Sequence, residues 1–181
     1  MSKISTWILK WLGWKFVGKI PADLKKFICA VVPHTSNWDF PIGILVRSAL
    51  NRDIKFLGKH TLFKFPYGFI FYWLGGYPVN RKKSANIVEA VVKIFNEKET
   101  FAIALAPEGT RRKVNKLKTG FYHMAKQAHV PIILVKFDYE HKIFEFREPF
   151  YPSDNESADF EVINNYFKGV KGFNPAQSFG I

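Results

Sequence analysis

The sequence predicts a single α/β domain with a mostly parallel central sheet flanked by helices, preceded by an N-terminal amphipathic helix. The first observation behind this is an alternation. Apolar runs rich in β-branched or aromatic residues, at Phe27–Val32, Ile54–Leu57, Phe101–Ala106 and Pro131–Val135, are separated by stretches of helical periodicity at about 38–50, 84–97 and 118–128. Such alternation requires crossover connections, which set neighbouring strands parallel and cover both faces of the sheet. The second observation is size: 181 residues suffice for one buried core, and no Ser/Gly/Pro linker or break in composition marks a second one.

Taken in chain order, Ile4, Trp7, Ile8, Trp11 and Leu12 recur at helical spacing and are punctuated by Lys3, Lys10, Lys15 and Lys19. The pattern reads as an amphipathic helix over residues 1–20, stopped before Pro21. Lys10 breaks any continuous apolar core of a signal peptide, and no small-x-small cleavage site follows. Two placements are open: the helix packs its Trp face on the domain, or it lies in a membrane interface with Trp inserted and Lys toward lipid phosphates. The domain proper is expected over residues 21–150, with Ile143–Phe146 as a candidate edge strand. Residues 151–181 read as a last helix at 156–168, the one segment where acidic residues gather, and a loosely ordered tail after Gly169.

The formal net charge of +12, combined with 17% aromatic residues, directs the chain toward anionic partners. It carries no zinc-finger, RNA-recognition or basic coiled-coil signature, so a membrane surface with anionic lipids is expected rather than nucleic acid. Cys29 is the single cysteine, which excludes an internal disulfide, fits a reducing compartment and leaves no Cys/His cluster with metal spacing. The longest apolar run, Phe65–Val79, is interrupted by Pro66, Gly68, Gly75, Gly76 and Pro78. It falls short of the ~20 residues of a spanning helix.

The chemistry-bearing candidates begin with Pro33-His34-Thr35-Ser36-Asn37-Trp38-Asp39. On a continuous helix, side chains five residues apart point about 140° away from each other, so His34 and Asp39 cannot cooperate there. If His34 instead ends the first strand and Ser36 or Asn37 caps a new helix, the turn folds Asp39 back onto the imidazole. Asp39 would then keep one ring nitrogen protonated, and the other would be free to take a proton from a substrate hydroxyl. No G-x-S-x-G elbow is present, so direct attack by an acceptor hydroxyl is simpler than an acyl-serine route.

Candidates for holding an anion follow other strands. Pro107-Glu108-Gly109-Thr110-Arg111 places a planar guanidinium after a turn in which glycine permits close backbone approach. Arg81 follows Gly75-Gly76-Tyr77-Pro78-Val79-Asn80, Lys59 ends another strand, and Lys118-Thr119-Gly120 could open a helix. Glu108 should not touch a phosphate, and orienting a neighbouring Lys or Arg is the role expected of it. Gly13–Lys19 matches most of a phosphate-loop pattern, but Ile20 replaces the required Ser/Thr and bulky residues fill the loop.

These residues resemble the glycerolipid acyltransferase family, typified by 1-acyl-sn-glycerol-3-phosphate (lysophosphatidate) acyltransferases. His34 to Asp39 looks like its H-x-x-x-x-D block, and Lys59–Pro66 leading to Gly75–Arg81 resembles the second block. Glu108-Gly109-Thr110-Arg111 matches the third, and Val130–Val135 is similar to the fourth. Pro33 stands where the family often has Asn or Gly, and Leu134 where a second proline is common.

The resemblance implies an O-acyltransferase that moves a fatty acyl group from acyl-CoA or acyl carrier protein to lysophosphatidate or a similar lysolipid in phospholipid biosynthesis. It implies no metal and no cofactor beyond the thioester co-substrate, and a peripheral position on the cytoplasmic face of a bacterial cell membrane. His34 would be the base and Asp39 its orienting group. Arg81, Glu108, Gly109, Thr110, Arg111 and Lys59 would form the acceptor site, with the aromatic stretch Leu62–Tyr77 lining an acyl groove. Another lysolipid acceptor, such as a lyso-ornithine lipid, or a non-catalytic membrane-binding role are the alternatives.

Overall fold

The computed structural model describes residues 2–79 and 84–180. Its helices are α1 (Lys3–Trp11), α2 (Asp39–Leu50), α3 (Gly68–Trp73), α4 (Ser84–Glu97), α5 (Gly120–Ala128) and α6 (Glu156–Phe167). The strands are β1 (Lys15–Val17), β2 (Lys26–Val32), β3 (Ile54–Lys59), β4 (Gly76–Val79), β5 (Phe101–Leu105), β6 (Ile132–Asp138) and β7 (Ile143–Phe146). They form one sheet in the order β1-β7-β6-β2-β5-β3-β4. Strands β2 to β6 run parallel; β7 is antiparallel to β6 and carries β1 parallel to itself. The expected α/β fold with a mostly parallel sheet is the fold observed.

The continuous apolar runs arise because both sheet faces are covered. Successive side chains of β2 point to opposite faces, so Ile28, Ala30 and Val32 join one core and Phe27 and Cys29 the other. The first core packs under α4, α5 and α6 through Val91, Phe95, Tyr122, Ile163 and Phe167. The second packs under α1 and α2 through Leu9, Val46 and Ala49, with Trp14 closing the β7 end. Because β2 and β5 are parallel neighbours with Ala30 opposite Leu105, the loops that leave their C-terminal ends emerge side by side. In open α/β sheets this is where ligands bind.

Three expectations change. The N-terminal helix ends at Trp11 rather than before Pro21: Gly13 turns the chain at φ 85°, and residues 15–17 become β1. The phosphate-loop-like segment is therefore a turn followed by the outermost strand, and β1 displaces Ile143–Phe146 from the sheet edge. The tail after Gly169 is packed, not loose: Val170, Ser178 and Phe179 are buried. Helix α1 divides its faces. Leu9 is fully buried and Ser5 hydrogen-bonds Ser48 of α2 at 2.9 Å, whereas Ile4, Trp7 and Trp11 are 73%, 67% and 75% exposed.

Candidate active site

The turn between β2 and α2 begins with the cis Val32–Pro33 bond and carries His34 at the end of the strand. Asp39, the first residue of α2, is buried, and its Oδ2 lies 2.9 Å from His34 Nδ1. The same oxygen accepts the backbone N–H groups of Thr35 and Ser36, each at 2.9 Å, while Oδ1 accepts the Tyr139 hydroxyl at 2.7 Å. Burial raises the pKa of Asp39, but the bonds from His34, Ser36 and Tyr139 outweigh it and hold the carboxyl below its usual range. The stability Asp39 adds is therefore present above the ordinary carboxylate range and is lost as pH falls through the lowered value. An ionised carboxylate only accepts, so the ring proton sits on Nδ1 and the Nε2 lone pair is free. This carboxylate closes the turn that precedes α2 rather than capping the helix: Trp38 occupies the cap position without a side-chain bond, and Ser36 Oγ accepts the Trp38 N–H at 3.2 Å instead of capping α2.

Glu108, just beyond β5, is 1% exposed, and its Oε2 accepts the backbone N–H of His34 at 2.6 Å. Among the described residues it holds the histidine's backbone, and no ion pair with a Lys or Arg is formed there. Burial is the main cause that pushes its carboxyl up to about 7, and the charge of Asp39 adds to it. The other oxygen, Oε1, is buried without a partner among the described residues.

Gly109 sits at φ 65°, and a Cβ there would lie 2.6 Å from the ammonium of Lys118. Glycine thus lets that cation lie across the turn. Thr110 Oγ1 accepts the Arg112 N–H at 3.2 Å, and the Arg111 side chain is exposed. Lys59 ends β3. Arg81 and the side chain of Lys59 lie outside the described residues.

His34, Asp39, Gly109, Thr110, Arg111 and Lys118 line one cavity of about 890 Å³. It continues between α2 and the sheet past Gly43, Val46, Leu50, Val31, Ala104 and Val135, and so becomes apolar behind the dyad. Of the aromatic stretch expected to line a groove, Leu62 and Phe71 reach the cavity, whereas Phe65, Tyr67, Phe69, Tyr72 and Trp73 are exposed. Cys29 also lines it, but burial pushes the thiol up to about 12, so it remains protonated and is no nucleophile. Lys55 and Arg47 line the wall as well. Arg47 reaches the Leu74 carbonyl over Gly75, where φ is 85° and no side chain would fit. Among the described residues no group of three or more His, Cys, Asp or Glu could hold a metal.

A carboxylate-oriented histidine thus lies at the C-terminal edge of a parallel α/β sheet and opens on a largely apolar cavity whose lining also includes Arg111 and Lys118. A model of the acyltransferase family matches residues 16–137. The chain is 34% identical over 133 residues to a 1-acyl-sn-glycerol-3-phosphate acyltransferase of Haemophilus influenzae, covering 68% of this chain and 53% of that protein. It is 33% identical over 132 residues to the protein of the same name from Salmonella typhimurium, covering 68% and 52%. The chain thus belongs to the acyltransferase family, and it spans about half the length of these relatives. The crystal structure of a 1-acyl-sn-glycerophosphate acyltransferase from Thermotoga maritima matches with a TM-score of 0.60 at 21% identity, over 91% of this chain and 75% of that one, which shows a shared fold.

Proposed function

We propose that the chain transfers a fatty acyl group from an acyl thioester to the free hydroxyl of lysophosphatidate or a close lysolipid. The single observation that carries this reading is the His34–Asp39 pair at 2.9 Å, facing a cavity that is cationic at its rim and apolar within. His34 Nε2 removes the hydroxyl proton as the oxygen attacks the thioester carbonyl. The tetrahedral intermediate collapses, the carbon–sulfur bond breaks, and the imidazolium returns the proton to the departing thiol. Asp39 stabilises that imidazolium throughout. Arg111, with Lys118 beside Gly109, attracts the acceptor phosphate, and the apolar depth takes an acyl chain at about 0.8 kcal/mol per buried methylene.

The direct test is to incubate the protein in vesicles with lysophosphatidate and either long-chain acyl-CoA or acyl carrier protein, following thiol release and phosphatidate. A panel that includes lyso-ornithine lipid reads acceptor choice in the same assay. No transfer from either donor to any acceptor would overturn the proposal. In this assay Arg111→Ala is expected to raise the acceptor KM by about 10- to 150-fold with kcat little changed, as for a lost charge-assisted contact of about 1.5–3 kcal/mol. Unchanged acceptor saturation would make Arg111 a structural residue.

The same reading places the protein on an anionic membrane surface, and the cytoplasmic face of a bacterial membrane supplies one. No helix among the described residues is long and apolar enough to cross a membrane. The outward Ile4, Trp7 and Trp11 stripe of α1, on a chain of net charge +12, supports interfacial contact. Co-flotation with vesicles containing anionic phospholipid is expected at low salt, weakened at least about 10-fold by Trp7→Ser with Trp11→Ser. Equal flotation of the double variant would remove α1 from the contact.

A further inference from the structure

Resting on the proposed transfer reaction, we propose that Tyr139 is a positioning residue for it, and that the C-terminal segment Lys171–Phe179 is the strap that keeps Tyr139 and both motif loops in place. Tyr139 lies 100 positions from Asp39 in sequence and beyond residues 16–137 that match the family model.

Asp39 is gripped from two sides. Oδ2 collects His34 Nδ1–H and two backbone N–H groups, and Oδ1 accepts the Tyr139 hydroxyl at 2.7 Å. Rotation about the bond to the carboxylate is intrinsically soft, so a second anchor on the far oxygen fixes the plane in which the imidazole must lie. Tyr139 is itself immobilised: its ring stacks on Phe137 at 4.6 Å and meets Trp14 edge-on at 5.0 Å. The tail completes the enclosure, with Phe173 edge-on at 5.5 Å and the Tyr139 N–H donating to the Lys171 carbonyl at 2.9 Å.

The strap then reaches both loops of the site. The Asn174 N–H donates to Thr35 Oγ1 at 3.1 Å, and its side-chain amide donates to the Thr35 carbonyl at 2.8 Å. The Gln177 amide faces the Arg111 and Thr35 carbonyls, which only accept, so its nitrogen is assigned to that side, where it donates to them at 2.6 and 3.1 Å. One side chain thus ties the loop that bears the base to the loop that bears the expected phosphate contact. Gly172 passes so close to Thr35 that a Cβ would lie 2.5 Å from its Oγ1, and the Gly172 N–H donates to buried Ser178 Oγ at 2.9 Å. Phe179, buried in the core under α4 to α6, anchors the end.

The full chain is compared with Tyr139→Phe, which keeps every ring contact and removes one hydroxyl, with Asn174→Ala, and with Tyr151→Phe on the exposed surface as a control. Tyr139→Phe is expected to lower kcat by roughly 10- to 100-fold with both KM values unchanged, as displacement of a catalytic group does. In an Asp39→Ala background it should cost nothing further, because the hydroxyl then has no carboxylate to hold. Asn174→Ala should lower kcat in the same direction by a smaller factor. The readout independent of activity is the His34 Nδ1–H proton resonance, protected in the parent and in Tyr151→Phe and exchanging rapidly in Tyr139→Phe. If that resonance and kcat are unchanged in Tyr139→Phe, or if its loss is as large without Asp39 as with it, the positioning role is wrong. A parent that shows the protected resonance but transfers no acyl group would instead sink the proposed reaction.

Discussion

Replacing His34 with alanine is expected to lower turnover by about 10²- to 10⁴-fold while binding of lipid and thioester persists, the loss typical of a positioned general base. The backbone need not follow the side chain. Glu108 holds the peptide N–H of residue 34, and Thr35 is tied to the strap through Asn174, so the loop keeps its anchors when the imidazole is removed. The imidazole is 27% exposed, and its removal enlarges the cavity mouth without emptying the core. The defect should therefore sit in kcat, with KM for acceptor and donor near parental values. Steady-state rates beside equilibrium binding of a non-hydrolysable acyl thioester separate the two. Near-parental turnover would remove His34 from the mechanism.

Why so much of this site was legible, and where legibility stopped, follows from the range of the forces involved. The buried strands announce themselves because both faces of β2 and β6 are covered, so Phe27–Val32 and Ile132–Val135 are continuous apolar runs with no polar alternation. The His34 to Asp39 turn could be reasoned out because strand end, turn and helix start are local in sequence. The role of Glu108 could not: its partner is a backbone N–H 74 positions away, and a backbone group leaves no mark on side-chain patterns. Tyr139 is hidden by distance along the chain, being brought to Asp39, 100 positions away, by the pairing of β6 with β2.

The tail looked loose because Gly172, Asn174, Pro175 and Ser178 follow no helical or strand period. Its order comes from hydrogen bonds to the motif loops and from one buried phenylalanine. The aromatic stretch after β3 misled in the opposite direction. Its composition suggested a lined groove, yet the turn before α3 leaves Phe65 outward and the end of α3 leaves Trp73 so, at 96% and 80% exposure.

Asp39→Ala and Asp39→Asn are expected to part company, because the surroundings dictate how an amide would sit. Alanine strands the Thr35 and Ser36 N–H groups and the Tyr139 hydroxyl together, at about 1–3 kcal/mol for each buried group left unpaired. It also frees the imidazole, so turnover should fall as far as in His34→Ala, with a clear loss of thermal stability. Asparagine has one acceptor and one donor end. Two backbone N–H groups and Nδ1–H converge on the Oδ2 position, so the amide oxygen must occupy it, and the NH₂ then faces the Tyr139 oxygen, which can accept. The histidine tautomer survives, and what is removed is the negative charge that steadies the imidazolium. Neutral hydrogen bonds are roughly half as strong as charge-assisted ones, so Asp39→Asn should retain about 10-fold or more of the activity lost in Asp39→Ala. Its stability should also lack the fall at acid pH that the ionised Asp39 gives the parent. Thermal unfolding across acid pH, measured beside kcat for both variants, checks the two halves. Equal loss of kcat in the two would mean that charge, not orientation, is what Asp39 supplies.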